Sequence, residues 1–235
     1  MTTTGTSAFN LDLNSLVEEA FERCGAELRT GYDLRTARRS LNLLTIEWAN
    51  RGINLWTIEQ GSIPLVQGQI AYDLPVDTID LLDHVIRTGT GTNQSDININ
   101  RISVDTYSTI PNKNAQGRPI QVWINRQSGA TEPGGVANPQ INVWPAPDGA
   151  TAYTFVYWRL RRIQDAGDGV NTQDIPFRFL PCMVAGLAYH LSRKVPGALE
   201  RTQMLKMEYE ELFQQAADED REKATLRIAP RQMYL

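Results

Sequence analysis

Histidine and cysteine are scarce, with two of each in 235 residues. That scarcity narrows the chemistry at the outset. Cys24 and Cys182 stand far apart, with no Cys-x-x-Cys or Cys/His spacing of the kind that holds zinc. Both fall on apolar helical positions, so they read as small buried hydrophobes rather than a bridge, and they suit a reducing cytoplasm. His84 lies in an expected strand and His190 on an expected helix. Neither has a Ser, Cys or carboxylate arrangement nearby in sequence that suggests a relay. The fragment Gly89-Thr90-Gly91 lacks a third glycine and a surrounding strand–turn–helix unit, and there is no Walker lysine motif. No apolar run approaches the roughly 20 residues of a membrane-crossing helix. The first ten residues lack the basic and apolar regions of a signal peptide. Positive charge is short as well. A net charge of -4 argues against a dedicated DNA-binding protein, which needs a basic face to release counterions from phosphates. The expectation is a soluble, unsecreted protein with no cofactor, no metal, no catalytic residues and no membrane, and not an enzyme.

What is present is a change of period along the chain. Leu13, Leu16, Val17, Ala20, Phe21 and Cys24 form one helical stripe, which Asp12 or Asn14 can cap and Gly25 or Gly31 can end. A second helix is expected from Asp33, with Leu34, Ala37, Leu41, Leu44 and Trp48 as its apolar face. From residue 55 to 173 the pattern becomes short and strand-like. A strand is expected at 55–59, a hairpin of 62–66 with 69–74, and further strands at 81–88, 120–125, 140–144 and 152–160. Residues 88–98 and 127–138 read as loops, and Ser103 caps one helical turn through Tyr107. Helical period returns near Pro176, with Asp174 as cap, and runs to Lys194. A fourth helix carries Leu205, Tyr209, Leu212, Phe213 and Ala216 on one stripe and many carboxylates elsewhere. Helix pairs at both ends with strands between imply an α+β fold. The expected form is a four-helix-bundle domain built from N- and C-terminal pairs (1–54 and 174–220), an inserted antiparallel β domain (55–173) and an extended tail (221–235).

Two groups of residues stand out as surfaces for partners. Trp144, Tyr157 and Trp158, followed by the basic cluster Arg159, Arg161 and Arg162, suggest a β segment that packs against neighbours. The tail mixes Arg227 and Arg231 with Ile228, Met233, Tyr234 and Leu235, without helical or strand period, and suits docking on a partner. The acidic fourth helix reads as a solvated face, or as an inward carboxylate lining that keeps DNA from sticking.

The segments TARRSLNLLTIEWANRGINLWTIE, NKNAQGRPIQVWINRQ, INVWPAPDGATAYTFVYWRLRRIQDAG and IPFRFLPCMVAGLAYHLSRK follow one another in an order that resembles phage head–tail adaptors. The resemblance includes the tail tubular protein A type of short-tailed phages and runs from about Leu13 to Phe213. It implies a structural virion protein assembled in the host cytoplasm. In such proteins a ring of about twelve copies sits in the neck between the capsid portal and the tail nozzle, and double-stranded DNA passes without sequence-specific binding. It also implies that Arg227–Leu235 is the portal-docking arm and that the aromatic β segment faces the tail. The alternatives are a tail-associated carbohydrate-binding or cell-wall-degrading component.

Overall fold

In the computed structural model the described residues are 5, 9, 11–29, 31–52, 55–126, 131–132, 135–136, 138–167 and 170–220. The segment 221–235, expected as the docking arm, lies outside them. In chain order the elements are α1 (Leu13–Cys24), α2 (Gly31–Asn50), β1 (Ile58–Pro64), β2 (Ala71–Asp73), β3 (Thr78–Thr88), β4 (Ser95–Asn98), β5 (Asn100–Ile102), α3 (Val104–Ser108), β6 (Gln121–Asn125), β7 (Thr131–Glu132), β8 (Gly135–Val136), β9 (Gln140–Trp144), β10 (Tyr153–Arg161), α4 (Leu180–Ser192) and α5 (Thr202–Glu219). They form two compact units, one of Met1–Trp56 with Ile163–Leu235 and one of Thr57–Arg162.

In the first unit, α1 starts where Asp12 accepts a 2.8 Å hydrogen bond from the Ser15 amide. It ends where Gly25 turns to φ 76°, a conformation that suits a residue without Cβ. All six residues of its stripe are buried. α2 begins two residues before Asp33, which therefore sits in the first turn, where a carboxylate suits the positive end of the helix dipole. α4 follows a single 3-10 turn, Phe177–Phe179, and the expected cap Asp174 instead accepts from the Gln164 amide at 3.0 Å.

The expected four-helix bundle of two terminal pairs is not what forms. α1 and α2 make only slight contact with each other, and α1, α2 and α5 all pack on α4. A further helix, α3, belongs to the other unit. The residues explain this. α4 buries Leu180, Met183, Val184, Leu187 and Leu191 on several sides, so it needs partners all round. α1 and α2 each offer one main stripe, and both spend it on the central helix. Among the described residues the architecture is mixed α+β, with five helices and two four-stranded sheets.

The second unit holds both sheets. One runs β1-β10-β3-β4, antiparallel throughout; the other runs β2-β9-β6-β5. The expected purely antiparallel domain is corrected here, because β5 pairs parallel with β6, Asn100 opposite Gln121. Leu81, Ile86, Phe155 and Tyr157 of the first sheet share a core with Tyr72, Val122, Ile141 and Val143 of the second, so the two form a sandwich. The expected hairpin of 62–66 with 69–74 does not pair. The chain reverses there, but β1 joins β10 and β2 joins β9 in different sheets. Residues 88–98, expected as a loop, turn tightly and return as β4 along β3. Where β3 meets β10 the register shifts, Trp158 facing Asp83 but Arg159 facing Leu81. The extra residue, Leu82, is pushed outward while Leu81 stays in the core.

Candidate functional site

The residues expected at a subunit or tail interface lie on both sheets. Trp144 ends β9, is half-buried and donates its indole N–H to the Asn112 carbonyl at 3.1 Å. Tyr157 and Trp158 lie on β10. Tyr157 points into the sandwich core with 4 % of its surface exposed, opposite Gly61 of β1 and His84 of β3. Trp158 is half-buried.

The basic cluster after them is largely satisfied from within. The Arg159 guanidinium reaches Glu59 at 2.8 Å and Asp77 at 2.5 Å, and donates to the Thr78 hydroxyl at 3.0 Å. Arg161 reaches the other Glu59 oxygen at 2.6 Å. Both arginine side chains are about nine-tenths buried, so Glu59 bridges two guanidiniums along the β1–β10 pair. Burial opposes ionisation of Asp77, but the hydrogen bond and charge of Arg159 outweigh it and hold this carboxyl below its usual range. Arg162 alone of the three is exposed, with its backbone N–H on the Asp77 carbonyl at 2.8 Å.

In the helical unit the structure assembles a polar lattice from residues far apart in sequence. Trp48 of α2 donates its indole N–H to the Tyr209 hydroxyl of α5 at 3.0 Å, and that hydroxyl donates to Glu47 at 3.0 Å. His190 of α4 lies 3.3 Å from the other Glu47 oxygen. Arg51 meets Glu47 at 2.8 Å, grips Glu210 through two hydrogen bonds of 2.8 and 2.9 Å, and stacks over the Phe213 ring. Burial pushes the Tyr209 phenol up and the His190 imidazole down, the latter against the pull of Glu47. The lattice fastens α2, α4 and α5 to one another, and its carboxylates are already engaged. Sequence reasoning missed the pairing of His190 with Glu47; the legible signal was the Glu47–Arg51 spacing, four residues along one helix. His84 contrasts with it, since it is buried against Phe155 with neither ring nitrogen hydrogen-bonded.

The expected portal arm starts from a fixed point. Asp220, just after α5, is buried, and its carboxylate accepts from Arg178. Next to Arg178 in the chain, Phe177 is 77 % exposed and lines a cleft of about 770 Å³ with Phe9, Leu11, Leu180, Pro181 and Val184. Arg227, Ile228, Arg231, Met233, Tyr234 and Leu235 lie outside the described residues. Within those residues no group of three or more His, Cys, Asp or Glu gathers where a metal ion would sit. Nor is any described helix long and apolar enough to cross a membrane.

The model of one protein family, described as SU10 adaptor protein, matches residues 12–232, which spans both units. Among curated proteins nothing matches the chain.

Proposed function

The chain belongs to the SU10 adaptor protein family, and from that premise we propose that it is the head–tail adaptor of its phage. Membership makes it a phage structural adaptor, a virion component that works against other phage structural proteins. In our reading several copies, about twelve, close into a ring between the portal and the tail nozzle, and the ring continues the channel through which DNA leaves. It catalyses no reaction. The single observation that carries this reading is the family match over residues 12–232. The internal pairing of Arg159 and Arg161 favours passage of DNA without a basic grip on it, since those charges are spent within the chain. Residues 227–235 serve as the portal-docking part of the tail 221–235, which follows the anchored Asp220 in the chain.

The test is to mix the purified protein with its portal and image the product by electron microscopy beside the protein alone. A ring stacked on the portal is expected, and a chain lacking residues 227–235 is expected to fold but not to bind. Monomers that ignore the portal would overturn the adaptor reading. Portal binding by the truncated chain would remove the arm from it.

A further inference from the structure

Among the described residues, two helix faces of the first unit are exposed, and their patterns fit each other. Along α2, Tyr32, Arg35, Arg39, Leu43 and Ile46 are all exposed and recur at helical spacing, so they form one stripe opposite the buried one. Its N-terminal half is basic. Its C-terminal half is apolar, with Leu43 54 % and Ile46 57 % exposed. Along α5, Met204, Met207, Glu211, Gln215 and Asp218 form a second exposed stripe. There the order is reversed, with 60 % and 65 % exposed methionines first and carboxylates last.

Laid antiparallel, the two stripes register residue for residue. Ile46 faces Met204, Leu43 faces Met207, Arg39 faces Glu211, Arg35 faces Gln215 and Tyr32 faces Asp218, because the intervals between successive members are the same on both helices. Flexible thioethers meet branched aliphatics at one end, and at the other one guanidinium meets a carboxylate, one meets an amide and a phenol meets the second carboxylate. Neighbouring carboxylates of α5 are already engaged within the chain: Glu208 holds Arg23 at 2.7 Å and Glu210 holds Arg51. Among the described residues Glu211 accepts from the Gln215 amide at 3.4 Å, and Asp218 accepts from the Gln214 amide at 3.1 Å.

Resting on the ring reading above, we infer that the α2 stripe of one copy packs antiparallel on the α5 stripe of the next. The occupant of each face is a second copy of this chain. Like-with-like pairing is disfavoured by charge, since two α2 stripes centred on each other set Arg39 against Arg39 and two α5 stripes set Glu211 against Glu211. Each copy thus carries two different, mutually complementary faces, which is the requirement for a head-to-tail interface that closes into a ring.

The test uses the full chain carrying Leu43→Cys with Met207→Cys, assembled on the portal and oxidised mildly. Cys24 and Cys182 are buried and stay out of the reaction. A ladder of covalent multimers extending beyond dimers is expected, with each single-cysteine variant remaining monomeric. Rings visible by electron microscopy without a ladder would overturn this pairing and leave the ring reading standing. Covalent dimers alone would overturn the head-to-tail arrangement. Neither rings nor a ladder would overturn both readings. In a second series, Arg39→Glu is expected to raise the concentration needed for assembly at least about tenfold, and Glu211→Arg in the same chain to restore it. Both are exposed positions, so circular dichroism is expected to match the parent. Assembly of Arg39→Glu at the parent concentration would count against the interface.

Discussion

His84 takes two polar ring atoms into a sandwich core that offers neither a hydrogen bond. Burial pushes its pKa below 6.5, with Asp83 and a weak contact to the Ile99 backbone pulling upward and Arg101 adding to the depression. The neutral form is therefore the folded form. Stability is full above the unfolded value of 6.5 and falls as the pH drops from there through the folded pKa. His84→Phe keeps a ring against Phe155 and removes both orphaned nitrogens. Urea unfolding at pH 7 is expected to show a gain of about 1–2 kcal/mol. The decline between pH 7 and pH 5 is expected to shallow without vanishing, because His190 is depressed in the same direction. Tyr209→Phe tests the other lattice. It strips Trp48 of its acceptor and Glu47 of a donor in a buried setting, and unfolding experiments should register a loss of about 1–3 kcal/mol. Neither site was legible beforehand. The burial of His84 follows from its position, but the partner of the half-buried His190 lies 143 residues away on another helix, and no spacing rule reaches that far.

At the level of elements, stripes were legible and neighbours were not. The α1 stripe emerges from periodicity, and each cap was narrowed to two candidates, of which the structure uses Asp12 and Gly25, because these are local facts of backbone and side chain. The β1–β2 reversal was visible as a turn, yet a turn says only that the chain doubles back, not which strand it then pairs with. The bundle expectation failed for the same reason, since four stripes do not reveal that three of them converge on α4. Gly186 marks how tightly they converge. An alanine Cβ there would sit 2.9 Å from the Tyr209 ring and 3.0 Å from a Leu44 methyl. Helix propensity alone would favour Gly186→Ala by about 1 kcal/mol. Overpacking against α2 and α5 costs about 1–3 kcal/mol, so a net loss is expected, read as a lower melting temperature. Gly61 is similar on β1, where the Tyr157 ring lies over the position a side chain would take. Gly61→Ala is expected to lower the stability of the sandwich by about 1–3 kcal/mol in chemical denaturation.

For the whole molecule, the sandwich begins and ends with neighbours. β1 opens it and β10 closes it, with Ile58 directly opposite Leu160. Its core residues all come from within 57–162. That piece, expressed alone, is expected to give a dispersed amide spectrum and a single cooperative unfolding transition. A collapsed spectrum would show that it depends on the helical segments. The adaptor assignment was legible as an order of segments, whereas the faces proposed for a neighbouring copy were not. The conspicuous aromatics and arginines of β10 are largely committed to the core and to Glu59 and Asp77. The exposed stripes on α2 and α5 look from sequence like ordinary solvated faces, since periodicity shows which side of a helix is left over but not what packs on it.

The division of the helical unit into two stretches of chain also sets an order of synthesis. As the polypeptide leaves the ribosome, α1 and α2 emerge with Leu16, Leu41, Leu44 and Trp48 uncovered, and the helix that will bury them is translated only after the whole sandwich. The sandwich has its core partners within one stretch of chain and is expected to mature first. A chain cut short before α4 therefore carries every residue of the sandwich core but leaves the α1 and α2 stripes without the helix that buries them. Completion of translation becomes a condition for closing the helical core.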